Sequence, residues 1–214
     1  MSTVLSFGEI LGIIDALAVI IPGVVLLALI KGVKVSTLRN LTLILSGFAI
    51  LHGFYHISYL VGWSSVAPFI DLGSAVILVC LGLYYTNRVL AISLFLITIP
   101  ESAAVLVPVV LGIAIVIFAW LAFKAKSISS LQTQLSIFLI VWALAELLRA
   151  LLIIGVISAT AQNVIIGLEV HTFAMLAFGF FMIFRYYRVV SKATRIPKDW
   201  LGGTFGDETI GGMK

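Results

Sequence analysis

The sequence predicts an all-α integral membrane protein: a seven-transmembrane-helix bundle with its N-terminus outside and its C-terminus in the cytoplasm. Three observations lead there. Of the 214 residues, 62% are hydrophobic and only 10% charged, whereas soluble domains carry about 45–50% and about 25%. The mean hydropathy is +1.25, and apolar stretches of the roughly 20 residues needed to cross a bilayer recur along the chain. Finally, twelve of the thirteen Lys and Arg fall on one side of that span pattern. Soluble globular, disordered and fibrous classes are excluded. The single cysteine, Cys80, allows neither an intrachain disulfide nor a thiolate metal cluster.

Residues 1–9 contain no basic residue, so the positive n-region of a secretory signal is missing. The first span is read at residues 10–30, the second at 41–61 and the third at 68–85. Residues 88–124 are long enough to cross almost twice, and their middle, Ile99-Pro100-Glu101-Ser102, is a charged turn signal. They are therefore split into two short spans. The sixth span is read at 131–157 and the seventh at 164–184. With this count Lys31, Lys34, Arg39, Arg88, Lys124, Lys126, Arg185, Arg188, Lys192, Arg195, Lys198 and Lys214 share one side, and only Arg149 does not. The positive-inside rule makes that side cytoplasmic. Residues 1–190 form the membrane domain, and residues 191–214 a short basic, Gly-rich cytoplasmic tail. The cell membrane is the expected location and the bilayer the main partner, other membrane subunits being reachable through lipid-facing helices. Nothing offers the basic face with interleaved aromatics that nucleic-acid binding needs.

Ionisable residues inside spans default to functional candidates, because their burial in hydrocarbon is costly. Asp15, Asp71, Glu101, Glu146 and Glu169 fall in spans or at a tight outer turn, and all three histidines, His52, His56 and His171, are intramembrane. Counted from the basic boundaries at about 1.5 Å per residue, His52 and His171 lie roughly 20 Å up, and Asp15, His56, Asp71 and Glu169 roughly 24–26 Å. They form one layer in the outer half. His52, Tyr55, His56 and Tyr59 recur at i, i+3, i+4 and i+7, one helix face turned toward the bundle. Glu146 and Arg149 are i, i+3 neighbours, read as neutralising one another within their helix. Glu101 reads as a solvated turn residue, and Asp71 either caps the third helix or joins the site.

Two His at i, i+4 aim both imidazoles at one point, and a third from another helix completes a three-nitrogen metal set. The candidate metal ligands are thus His52, His56 and His171, supported by Asp71 and Glu169, for zinc, copper or iron. Alternatively, His52 and His171 supply the two axial ligands of haem b, with Gly47 and Gly53 making room. Asp15 is read as a peripheral acid. The layout resembles the seven-helix metal-dependent hydrolases related to alkaline ceramidases and adiponectin receptors in its helix-two His, the Asp opening helix three and a helix-seven His. That family places its H-x-x-x-H pair on helix seven; here the pair is on helix two and residue 175 is Met, and the family is not assigned. The functional expectation is an outward-facing His/carboxylate site binding a transition metal or haem. The alternatives are a receptor-like or accessory subunit of a membrane complex, or a cation- or proton-coupled transporter. Whether the chain is an enzyme stays open. A retinal protein is excluded, since the seventh span has no lysine, and no Gly-x-Ser-x-Gly elbow is present.

Overall fold

A computed structural model describes residues 6–85, 103–125 and 127–193, and among these every regular element is helical. Helix α1 spans Phe7–Leu29, and one 3-10 turn, Ile30–Gly32, leads toward α2, Ser36–Leu60. Helix α3 spans Ala67–Tyr85, α4 Ala103–Lys124, α5 Leu131–Ile153 and α6 Ala161–Phe181. A π-helical stretch, Met182–Tyr186, carries α6 into a short α7, Tyr187–Lys192. Six helices among the described residues are long and apolar enough to cross a membrane, the last running from Ala161 to Lys192. The chain is a multi-pass membrane protein. The expected fourth span falls largely on residues 86–102, outside the described residues, as do Glu101, Arg88, Lys126 and the tail from residue 194.

Local chemistry sets the helix ends. Ser6 and Glu9 form a capping box on α1: Glu9 N–H donates to Ser6 Oγ (3.3 Å) and Ser6 N–H to Glu9 Oε2 (2.7 Å). Ser130 and Thr160 cap α5 and α6 by accepting from the third residue on. Helices α2 and α5 stop in the same way. Gly62 and Gly155 take positive φ (81° and 76°), and the next N–H reaches back to Ser58 O (2.7 Å) or Leu151 O (3.0 Å). Both are Schellman turns, which favour glycine at the left-handed position.

The helices close a ring in the order α1, α2, α3, α4, α5, α6 and back to α1. Adjacent helices run antiparallel, with two exceptions. Gly82, near the end of α3, packs on Ile117 and Phe118 near the end of α4, while Asp71 and Ala104, both near helix starts, line one cavity. Helices α3 and α4 are therefore parallel. Helices α1 and α6 are parallel too: Asp15 meets His171, and further along Ala18 and Pro22 meet Gly179. As a result Lys31, Lys34, Arg39, Lys124, Arg185, Arg188 and Lys192 gather at one end of the bundle, and Arg149 does not.

Proline placement explains the α1/α6 seam. Pro22 has no N–H, so it leaves the carbonyl of Ala18 without its helical donor. Gly179 sits on that carbonyl, where a Cβ would come within 2.3 Å of the oxygen. Only glycine permits this approach, and it holds α6 where His171 reaches Asp15. Similarly, a Cβ at Gly53 would meet Ile20 at 2.2 Å, so this glycine serves α1/α2 contact. Near the basic end the interior is apolar, with Leu38, Leu41, Leu45, Phe48, Phe118 and Phe178 buried. Leu17, Val24, Val116 and Phe173 are exposed to the surroundings instead, as suits helices in lipid.

Candidate metal centre

The three histidines meet. His52 and His56 share the inner face of α2, one turn apart, and His171 enters from α6; the three are 0%, 3% and 0% exposed. One ligand atom from each lies within 4.8 Å of the others. The Nε2 atoms of His52 and His56 are 3.3 Å apart, and the ring centroids of His56 and His171 5.1 Å. The buried His52, His56 and His171 group can hold a metal ion.

Outer groups orient the rings. Ser74 Oγ donates its hydrogen to the carbonyl of Asp71 (2.8 Å), so it accepts from His52 Nδ1–H at 3.2 Å. His171 Nδ1–H donates to Asp15 Oδ2 at 3.0 Å. Nδ1 of His52 is thus held by a hydroxyl and Nδ1 of His171 by a carboxylate, and Nε2 of each ring faces the cluster. This is the usual arrangement of metal-binding histidines, whose second nitrogen is held by a carboxylate, hydroxyl or carbonyl. His56 Nδ1 lies 3.8 Å from the same Asp15 oxygen.

Among the expected supporting acids, Asp71 is near, with Oδ1 3.7 Å from His52 Nδ1. It does not cap α3, because that helix begins at Ala67 and places Asp71 one turn inside. Glu169 is not brought to the cluster. It is exposed, since two residues on a helix turn through roughly 200° and His171 takes the inward direction. Two other carboxylates take its place. Asp15, read as peripheral, is buried between His171 and His56. Glu146, read as locked to Arg149, instead has Oε2 3.8 Å from His52 Nε2 and in direct contact with His171 Nε2. No ion pair joins it to Arg149 among the described residues. The Arg149 guanidinium stands over the rings of Tyr55 (4.9 Å) and Tyr59 (5.8 Å). Depth counting could have found Glu146, because it lies 15 residues into α5, roughly 22 Å up. Ser74 was legible only as the residue one turn beyond Asp71.

Toward the basic end the cluster rests on aromatic rings. Trp142 meets His52 edge-on at 4.9 Å and Phe48 at 4.7 Å, and Phe178 packs on Phe48 at 6.1 Å. On the opposite side a cavity of about 20 Å³ is lined by Tyr55, Tyr59, Asp71, Ala104 and Val107 among others. It has room for about one water. A haem does not fit between His52 and His171. His56 and Glu146 lie 3.3 Å and 3.8 Å from His52 Nε2, in the space a macrocycle would need. Neither expected glycine makes room: Gly53 is filled by Ile20, and Gly47 is on the exposed face of α2.

Comparison with known proteins finds no matching family model, curated protein or solved structure.

Proposed function

We propose that this chain is a cell-membrane protein that binds a transition metal ion between its helices, through His52, His56 and His171. The observation that carries this reading is the meeting of the three rings: Nδ1 of His52 and of His171 is engaged by Ser74 and Asp15, and one nitrogen of each of the three histidines lies within 4.8 Å of the others. Asp15, Ser74 and Asp71 position the ligands. The chemistry of the donors favours zinc, cobalt, iron or copper(II), all of which accept imidazole.

The proposed topology has seven crossings, the N-terminus outside and the basic end in the cytoplasm. The parallel course of α3 and α4 supports it, because Tyr85 and Ala103 stand at opposite ends of the bundle. The 17 residues between them, 86–102, match one more crossing: as a helix they would reach about 26 Å, near the roughly 30 Å hydrocarbon core. The gathering of Lys and Arg at one end supports the orientation. The metal then sits in the outer half, shielded from the cytoplasm by Phe48, Trp142 and Phe178.

A second reading, a polar lock that only fixes helix packing, is favoured by one observation. His171 touches both Asp15 and Glu146 and so ties α1, α5 and α6 together without any ion. Elemental analysis of the detergent-purified protein separates the two, beside His52→Ala and His171→Ala. Near-stoichiometric metal, lost in both variants, is the outcome expected for the metal centre. A metal-free protein whose variants merely unfold at lower temperature would establish the lock.

A further inference from the structure

We propose that Glu146 is the fourth ligand, which makes the centre a closed set of three imidazole nitrogens and one carboxylate oxygen for a divalent ion such as Zn²⁺ or Co²⁺. The inference rests on the metal-binding reading above and adds to it a donor, a coordination number and a metal class.

Glu146 is 0% exposed, and its Oε1 has no hydrogen-bond partner among the described residues, while its Oε2 is in contact with His171. A carboxylate in the interior of a membrane bundle requires compensation. Its own-helix candidate, Arg149, is turned onto Tyr55 and Tyr59. What faces Glu146 Oε2 is Nε2 of His171, in contact, and Nε2 of His52, at 3.8 Å. Glu146 Oε2 thus lies where Nε2 of both rings faces, so an ion seated between the imidazoles would meet this carboxylate oxygen as well.

Bonds of about 2.0–2.1 Å to a tetrahedral ion place neighbouring donors about 3.3–3.4 Å apart. The two α2 nitrogens already stand at 3.3 Å, Glu146 Oε2 is 3.8 Å from His52 Nε2, and its contact with His171 Nε2 would open to admit the ion. The set holds no sulfur donor, which disfavours copper(I). Four protein donors leave no open position, so the centre stores, senses or structurally anchors its ion and does not activate water, for which a vacant position is required.

The test is a titration of the chelator-stripped, detergent-solubilised full chain with cobalt(II) chloride, followed by visible absorption. Wild-type protein should develop the intense bands of four-coordinate cobalt, unchanged by added azide. Glu146→Gln, which keeps the side-chain shape, should shift those bands and weaken binding by more than about 100-fold. Asp15→Asn should weaken it by about 10–100-fold, the usual cost of an outer partner, with the bands in place. Azide-dependent bands in wild type mean an open position and overturn the assignment of Glu146. So does a Glu146→Gln protein with wild-type bands and affinity within tenfold. The azide result needs no variant and decides the matter even if Glu146→Gln fails to fold. Wild-type protein that binds neither cobalt nor zinc overturns the metal reading itself, and this inference with it.

Discussion

The two halves of the bundle are built on opposite principles. Toward the basic end the interior is packed apolar volume with few polar groups: Thr42 Oγ1 meets the Tyr186 hydroxyl at 3.1 Å, Gln132 Nε2 donates to Leu121 O at 3.1 Å, and the neutral Ser46 Oγ and Trp142 Nε1 are left without partners. In the other half five helices contribute ionisable groups, and several oxygens remain without hydrogen-bond partners, among them Asp15 Oδ1, Asp71 Oδ1 and Glu146 Oε1. The apolar half holds no carboxylate and no imidazole among its described interior residues. The other half gathers three buried carboxylates around three imidazoles that can hold an ion, and this contrast marks where the candidate site lies. Stability and binding should therefore respond to different residues.

The strongest way to test that division is Phe118→Ala in the apolar half. Removing a fully buried aromatic ring costs about 3–5 kcal/mol, read as a lower thermal or denaturant midpoint in detergent, while metal content per folded protein stays at the wild-type value. Metal loss in this variant would mean that the halves are not separable. Next in size is Gly179→Ala on the α1/α6 seam. Its methyl group would meet the Ala18 carbonyl at 2.3 Å, so overpacking should cost about 1–3 kcal/mol. Because the same seam brings Asp15 to His171, metal affinity should fall as well, measured by competition with a chelator. Wild-type affinity in that variant would show that the seam and the site are independent.

A smaller effect separates the halves from the other direction. Asp15→Asn keeps the shape of the side chain but weakens its hold on His171. Its expected loss, about 10–100-fold in metal affinity, corresponds to roughly 1.4–2.7 kcal/mol, seen only in the presence of metal. If the midpoint falls equally in stripped and loaded protein, Asp15 is a packing residue. The smallest expected change is Thr42→Val, which removes the hydroxyl facing Tyr186. Interhelical hydrogen bonds of this kind average about 0.6 kcal/mol in membrane bundles. Metal binding should be untouched, and an altered metal content would connect the basic end to the site.

Much was legible in the sequence. The apolar composition and the one-sided Lys and Arg determined a multi-pass helical protein, because hydrocarbon admits only helices or closed barrels. The i, i+4 spacing of His52 and His56, and the shared depth of His171, determined that three imidazoles lie in one layer, because rise and rotation per residue are constants of the helix. Which acids join that layer was not available from spacing. Glu146 and Arg149 share a helix face in sequence, yet Tyr55 takes the guanidinium and His171 the carboxylate. Glu169 and Asp15 have similar depth, and helix rotation alone turns one outward and the other inward. Rotation about a helix axis is set by packing, here by Gly179 against the carbonyl that Pro22 releases and by Gly53 against Ile20. The sequence by itself determined the depth of the site and its imidazoles, since those follow from counting along single helices. Only the tertiary structure decided its carboxylates, since those depend on which faces neighbouring helices present to each other.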